Sequence, residues 1–104
     1  MLDIESISCQ IIANVGMARS LYLEAVSKAR NKEYDKALKM IDEGYEMFIE
    51  GQKAHMQVLE AYSNGEHIEY SPLLTHAEDQ MIETETIKVL SEELINVYKD
   101  MKGD

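Results

Sequence analysis

The chain has 104 residues, 45% hydrophobic and 29% charged, which is typical of one globular domain covering residues 1–104. Its net charge of −10 would repel a phosphate backbone, so nucleic acid is not expected as a partner. No apolar run is long enough to cross a bilayer, and the N-terminus lacks the basic start and apolar stretch of a secretory signal. We therefore expect a soluble protein that does not insert into a membrane.

Five Gly and one Pro leave little material for the many turns of an all-β fold, so the composition favours helices. The single cysteine, Cys9, excludes an internal disulfide and fits a reducing compartment, by default the cytoplasm. Its place in a helical segment predicts a buried, inert thiol.

Helical periodicity predicts a first helix from about Ile4 to a polar break at residues 30–32. A second helix is predicted from about Glu33 to residues 63–65, where Asn or Gly can take the left-handed conformation that ends a helix. Each helix carries two rows of residues spaced by seven positions on one face. In the first helix the rows are Ile4, Ile11, Ala18, Ala25 and Ser8, Val15, Tyr22, Ala29; in the second they are Tyr34, Ile41, Phe48, His55, Tyr62 and Leu38, Tyr45, Gln52, Leu59.

Ser71 followed by Pro72 is typical of a helix start, with an N-cap and then proline at the first helical position. The third helix is predicted to run to about Met101. Short connections make consecutive helices antiparallel, so the sequence predicts an all-α, up-down-up bundle of three long helices. Its predicted buried stripe is Leu73, Ala77, Gln80, Thr84, Ile87, Ser91, Leu94, Tyr98 and Met101.

Polar residues interrupt the predicted apolar stripes. An unsatisfied buried polar group costs about 1–3 kcal/mol, and such residues often mark contacts between subunits. We therefore expect a homo-oligomer. The residues concerned are Gln52, His55, Gln80, Thr84 and Ser91.

The main candidate for chemistry is His76, near the start of the third helix. Asp79 and Gln80 follow at i+3 and i+4, so they lie on the same helical face. A neutral imidazole can accept a phosphoryl group, and a carboxylate or amide can hold its tautomer and orientation. A partly exposed histidine beside solvated acids has the same spacing, so the residues alone leave both interpretations open.

Residues 73–81, with the sequence Leu-Leu-Thr-His-Ala-Glu-Asp-Gln-Met, resemble the His-Ala-Gln-Asp-His-Leu-Met signature of the lactose/cellobiose-type enzyme IIA of the bacterial phosphotransferase system. Residues 16–20, Gly-Met-Ala-Arg-Ser, are similar to that family's Gly-Asx-Ala-Arg-Ser. Glu24-Ala25 and residues 32–37 also fall where the family pattern has them. The resemblance extends from about Ile4 to Met101.

The resemblance implies three-helix subunits that assemble as a homotrimer, a nine-helix bundle. It implies that His76 accepts a phosphoryl group from the phosphocarrier HPr. The group then passes to a cysteine of the IIB component, for uptake of a lactose-type or cellobiose-type disaccharide through the membrane component IIC. Asp79 matches an aspartate that, with its symmetry copies, holds one divalent metal ion at the trimer axis, expected to be Mg²⁺. An exposed helical carboxylate is the alternative interpretation of Asp79.

The sequence departs from the family pattern at several positions. Gln80 stands in place of a second histidine and can supply a hydrogen bond but no charge, and Glu78 replaces a glutamine. The family's Ala-His-x-x-Gln-Thr reads here as residues 51–56, so its His and Gln are exchanged as Gln52 and His55. We expect His55 to be a core histidine with a hydrogen-bond partner.

Gly16 completes the set of expected supporting residues, with Glu78 and Gln80. Glycine within a helix costs about 1 kcal/mol relative to alanine, which indicates close approach by another helix or by a partner's side chain. Ordinary tight packing explains it equally well. His67 is expected to face solvent.

Two other functions remain open on the sequence alone. Residues 29–48 resemble one tetratricopeptide-type hairpin, which would suit a non-catalytic interaction module, although such arrays need at least about three units. Alternatively, a member of the IIA family could keep the trimer and the metal but serve regulation.

Overall fold

The computed structural model describes residues 2–102, with Lys102 described by its backbone alone. Three helices make up this part of the chain: α1 (Ile4–Arg30), α2 (Tyr34–Ser63) and α3 (Pro72–Lys102). They form an elongated body with extents of 58 × 20 × 16 Å. The predicted all-α fold of three long helices is confirmed. None of the helices so described is both long and apolar enough to cross a membrane.

Side-chain caps explain where two of the helices begin. Oδ1 of Asp3 accepts a hydrogen bond from the Ser6 amide at 3.0 Å, which fixes the start of α1. Oγ of Ser71 accepts one from the Leu74 amide at 3.1 Å, so the predicted cap of α3 is confirmed. Gly65 has φ of 84° in the turn after α2, the left-handed conformation that glycine adopts without strain.

The core follows the whole length of α1. This helix packs along both α2 and α3, whereas α2 and α3 touch each other sparsely. The two predicted rows of α1 are confirmed, except that Ile4 is only half-buried. Cys9 falls beside this face and is exposed, so the prediction of a buried thiol was wrong. One residue turns a helix by about 100°, which carries Cys9 away from its buried neighbour Ser8.

On α2, the first predicted row is buried only in part, and the prediction that the second row is buried was wrong. Tyr34, Ile41 and Phe48 are buried as predicted, whereas Tyr62 is 73% exposed. The helix turns a row of small residues towards α1, and the adjacent row of larger apolar residues is left 46–47% exposed. The small residues are Ala37, Gly44, Gly51 and Ala54; the exposed residues of the predicted row are Leu38, Tyr45 and Leu59.

Close approach of α1 to α2 explains this choice of face. A Cβ atom at Gly44 would lie 2.6 Å from Cε1 of Tyr22, which is fully buried. At Gly51, a Cβ would lie 2.9 Å from Cγ2 of Val15. Larger residues therefore cannot occupy this row, and the bulky apolar residues of α2 lie outside the contact between α1 and α2.

The stripe predicted on α3 is buried in its middle and exposed near its end. Ala77, Thr84 and Ser91 are buried as predicted, whereas Leu94 and Met101 are 46% and 63% exposed. Other large apolar side chains of α3 are also more than half exposed. They are Ile82, Val89, Leu90 and Val97.

Candidate functional site

His76 lies on the second turn of α3, four residues after Pro72, with its side chain exposed. Ala77 beside it is fully buried against the core, which fixes the rotation of the helix and turns His76 outwards. The imidazole makes no hydrogen bond or ion pair with any of residues 2–102. The bond to a neighbouring carboxylate or amide that the spacing suggests is therefore absent among the described residues of one chain.

Gln80, one turn after His76, is half-buried and bonded to α1. Nη1 of Arg19 donates a short hydrogen bond to Oε1 of Gln80. Arg19 is itself half-buried and takes part in none of the ion pairs between described residues. Gln80, which lies on the same helical face as His76, therefore contacts a cationic group on α1.

Sequence reasoning gave Arg19 no role of its own. The only signal was its place three residues after Gly16, within residues 16–20. That spacing puts both residues on one face of α1, but it does not show what they contact.

Glu78 points to a different neighbour. Nε2 of His55, on α2, lies 2.7 Å from Oε2 of Glu78, and the two side chains are 17% and 41% exposed. Since an ionised carboxylate can only accept, His55 donates this hydrogen bond. The expected hydrogen-bond partner of His55 is confirmed and is a residue of the His76 segment, whereas the side chain is half-buried rather than part of the core.

Asp79 is exposed and forms no ion pair within the part of the chain that the structure describes. Carboxylate oxygens suit a hard cation such as Mg²⁺. One chain supplies too few ligands, because residues 2–102 contain no group of three or more His, Cys, Asp or Glu side chains that could hold a metal.

Gly16 and Met17 form an open surface on α1. A Cβ atom built on Gly16 would meet nothing within 4 Å, so tight packing within the chain does not explain this glycine. Met17 is 56% exposed, whereas Met81 on α3 is buried and fills the core. His67 is exposed in the loop before α3, as expected.

The groove between α2 and α3 is apolar and open. One cavity of about 430 Å³ lies between Ile49, His55, Met56 and Met81. A neighbouring cavity of about 250 Å³ lies between Tyr45, Phe48 and Val89. Both cavities include Gln52 in their walls.

Two buried hydroxyl groups, Oη of Tyr22 and Oγ1 of Thr84, have no hydrogen-bond partner among the described residues. Tyr22 lines the smaller of the two cavities. Burial, with Glu92 and Tyr45 nearby, raises the pKa of Tyr22 to about 12. A buried hydroxyl without a partner is costly, so the part of the groove beside Tyr22 has the character of an incomplete interface.

Comparison with known proteins identifies the family. Residues 6–99 match the family described as the PTS system, lactose/cellobiose-specific IIA subunit. The lactose-specific EIIA component of Staphylococcus epidermidis is 34% identical over 97 residues, 93% of this chain and 93% of that protein. The oligo-beta-mannoside-specific EIIA component of Bacillus subtilis is 30% identical over 95 residues, 91% of this chain and 86% of that protein.

A solved structure agrees with these sequence matches. The crystal structure of the PTS cellobiose-specific enzyme IIA from Bacillus anthracis superposes with a TM-score of 0.94 at 31% identity, covering 100% of this chain and 95% of that chain. The likeness spans all three helices, which a single tetratricopeptide-type hairpin would not. The chain therefore belongs to the lactose/cellobiose-specific IIA subunits of the sugar phosphotransferase system and is a phosphotransferase component of that system.

Proposed function

We propose that His76 is the phosphoryl carrier of this IIA subunit. It accepts the phosphoryl group from HPr and passes it to a cysteine of the IIB component. The exposure of the imidazole carries this proposal, because both ring nitrogens are free of hydrogen bonds to the described residues and open to a docking protein. His55, by contrast, is half-buried and bonded to Glu78.

The transfer needs little chemistry beyond positioning. A ring nitrogen of His76 attacks phosphorus with its lone pair, while the bond between phosphorus and the donor atom of HPr breaks and leaves its electron pair on that atom. In the second transfer the thiolate of IIB attacks phosphorus and forms a sulfur–phosphorus bond, while the bond between phosphorus and the ring nitrogen of His76 breaks and leaves its electron pair on that nitrogen. The site must mainly position the reacting groups and stabilise the negative charge on the phosphoryl oxygens. Gln80 supplies hydrogen bonding near the acceptor, and Glu78 anchors the segment to α2 through His55.

Gly16 supports the same step from α1. Open space around its Cα and the exposed Met17 beside it suit the approach of a partner's side chain. Methionine adapts its shape to different surfaces, which suits a site that meets HPr and IIB in turn.

The functional unit that we propose is a homotrimer. Three features favour burial of this surface against further copies of the chain. They are the open α2/α3 groove, the exposed apolar residues of α3 and the two buried hydroxyl groups without a partner among the described residues. Three copies of Asp79 at the axis would hold a divalent cation, expected to be Mg²⁺, since three like charges need a cation between them. If so, chelation should weaken the wild-type trimer, and Asp79→Asn should remove that sensitivity.

The substrate that we propose is a disaccharide of the lactose or cellobiose type. The relatives are specific for lactose, cellobiose and oligo-beta-mannoside, and these specificities support a sugar of this class. The membrane component IIC is an indirect partner through IIB. A cytoplasmic location is part of the same proposal, since it is where these partners would meet the chain.

A labelling experiment tests the proposal. The wild type, His76→Ala and His67→Ala are each incubated with enzyme I, HPr and labelled phosphoenolpyruvate. His67 is the matched control because it is also exposed and lies only nine positions earlier in the chain. We expect acid-labile label on the wild type and on His67→Ala but not on His76→Ala. No label on any of the three, with the donors verified on another acceptor, would refute the proposal and favour a regulatory trimer.

A further inference from the structure

Arg19 forms no ion pair with any described residue. Ion pairs between described residues involve the cations Lys36, Lys53 and Lys88, which are lysines of α2 and α3. Arg19 is half-buried on α1, and its one bond to a described side chain runs to the neutral amide of Gln80. A guanidinium has five N–H donors, so the pairing with Gln80 leaves most of them available to another acceptor.

The position of Gln80 connects this cation to the phosphoryl carrier. His76 and Gln80 are four residues apart on α3, and side chains at this spacing are neighbours, with Cβ atoms about 5–6 Å apart. Arg19 occupies Oε1 of Gln80, which leaves the amide N–H groups as the free donors of that side chain. A group bonded to the imidazole of His76 and extending along this face would meet N–H donors and a positive charge.

We propose that Arg19 is a positioning residue for phosphoryl transfer at His76. It holds the amide of Gln80 with its N–H groups free for the phosphoryl oxygens, and its charge stabilises the phosphorylated form. Arg19 neither gains nor loses a proton in the step. This inference rests on the function proposed for His76, and it supplies the charge that Gln80 lacks.

Physical magnitudes give the expected effect. A hydrogen bond to a charged group contributes roughly twice as much as a neutral one. Removal of the guanidinium should therefore lower the equilibrium ratio of phosphorylated chain to phosphorylated HPr by about tenfold. The loss should shrink as salt is added, because ions screen a partly exposed charge.

The experiment compares Arg19→Gln with Arg19→Lys, Gln80→Met and the control Arg30→Gln. Arg30 is the exposed last residue of α1, so its substitution removes the same charge from the same helix away from His76. Label is measured at equilibrium with HPr, and in a second arm after chemical phosphorylation with phosphoramidate, followed by the rate of hydrolysis. Circular dichroism and mass confirm that each variant is folded and assembled as the wild type.

We expect about a tenfold lower equilibrium ratio for Arg19→Gln and partial recovery in Arg19→Lys. Gln80→Met should also lose label, and Arg30→Gln should match the wild type. If Arg19→Gln does not fold, Gln80→Met decides the matter, since it removes the bridge and keeps the guanidinium. Equal ratios for the wild type and Arg19→Gln, or for Gln80→Met where Arg19→Gln is unfolded, overturn this inference alone. Absence of label at His76 in both arms for the wild type overturns the proposed function and this inference with it.

Discussion

Nε2 of His55 lies 2.7 Å from Oε2 of Glu78, and this bond joins two helices that otherwise touch sparsely. The IIA pattern that the sequence resembles has glutamine at both positions, so both members of the pair depart from it together. In this chain the bond ties the His76 segment of α3 to α2.

The pair predicts a non-additive effect on stability. His55→Gln and Glu78→Gln should each lower the free energy of unfolding by about 0.5 kcal/mol, a small value because Glu78 is 41% exposed and solvent screens the pair. The double variant should recover part of the loss, since two amides can bond to each other. Urea unfolding of the four proteins measures this coupling. Strictly additive losses would show that the two side chains do not interact.

The two helical glycines Gly44 and Gly16 predict opposite outcomes for the same substitution. Gly44→Ala places a Cβ 2.6 Å from the buried ring of Tyr22 and should destabilise the protein by about 1–3 kcal/mol. Gly16→Ala meets nothing within 4 Å and should raise helix stability by up to about 1 kcal/mol.

Thermal unfolding and phosphoryl transfer from HPr separate the two roles. Gly16→Ala should fold normally yet slow the transfer, because the added methyl group occupies the docking surface. Normal transfer by Gly16→Ala would show that Gly16 is not part of the docking surface.

The exposed apolar side of α3 predicts a subunit interface. Val89 is 58% exposed and lies at the α2/α3 groove, so Val89→Asp should shift the mass in solution from a trimer towards smaller species. Leu23 on α1 is 54% exposed and lines neither groove cavity, which makes Leu23→Asp the matched control. Light scattering at several protein concentrations measures both variants. A wild type that is monomeric throughout would contradict the assembly.

Tyr22 predicts a specific loss of stability in alkali. Burial, with Glu92 and Tyr45 nearby, raises the pKa of Tyr22 to about 12 from 10.0, so the folded protein keeps this hydroxyl neutral where the unfolded chain ionises it. The contribution is fully present below pH 10 and is lost as the pH rises towards 12. Tyr22→Phe should therefore lose less stability than the wild type between pH 10 and 12. If the free energy of unfolding falls equally with pH in the wild type and in Tyr22→Phe, the loss of stability arises from a group other than Tyr22.

The sequence predicts α1 well because its rows of Ile, Val and Ala pack on both other helices, so heptad spacing and burial coincide. On α2 the same spacing favoured Leu38 and Tyr45, since large apolar residues are the usual mark of a core. The structure buries Gly44 and Gly51 instead, because close approach of α1 leaves room only for small residues.

Within the candidate site, the local motif was enough to single out His76 as a candidate, and that assignment stays a prediction. The contact between Arg19 and Gln80 could not be predicted, because it joins residues 61 positions apart on different helices. Neither spacing nor composition specifies which side chains meet across a helix interface, so this contact required the structure.

The central claim is that His76 carries the phosphoryl group, and mapping that group on the wild-type chain tests it most directly. The protein is phosphorylated through HPr, digested at alkaline pH to preserve phosphohistidine, and sequenced by mass spectrometry. The account predicts the modification at His76, with His55 and His67 unmodified. Phosphate at His55 or His67, or at a non-histidine residue, would contradict it.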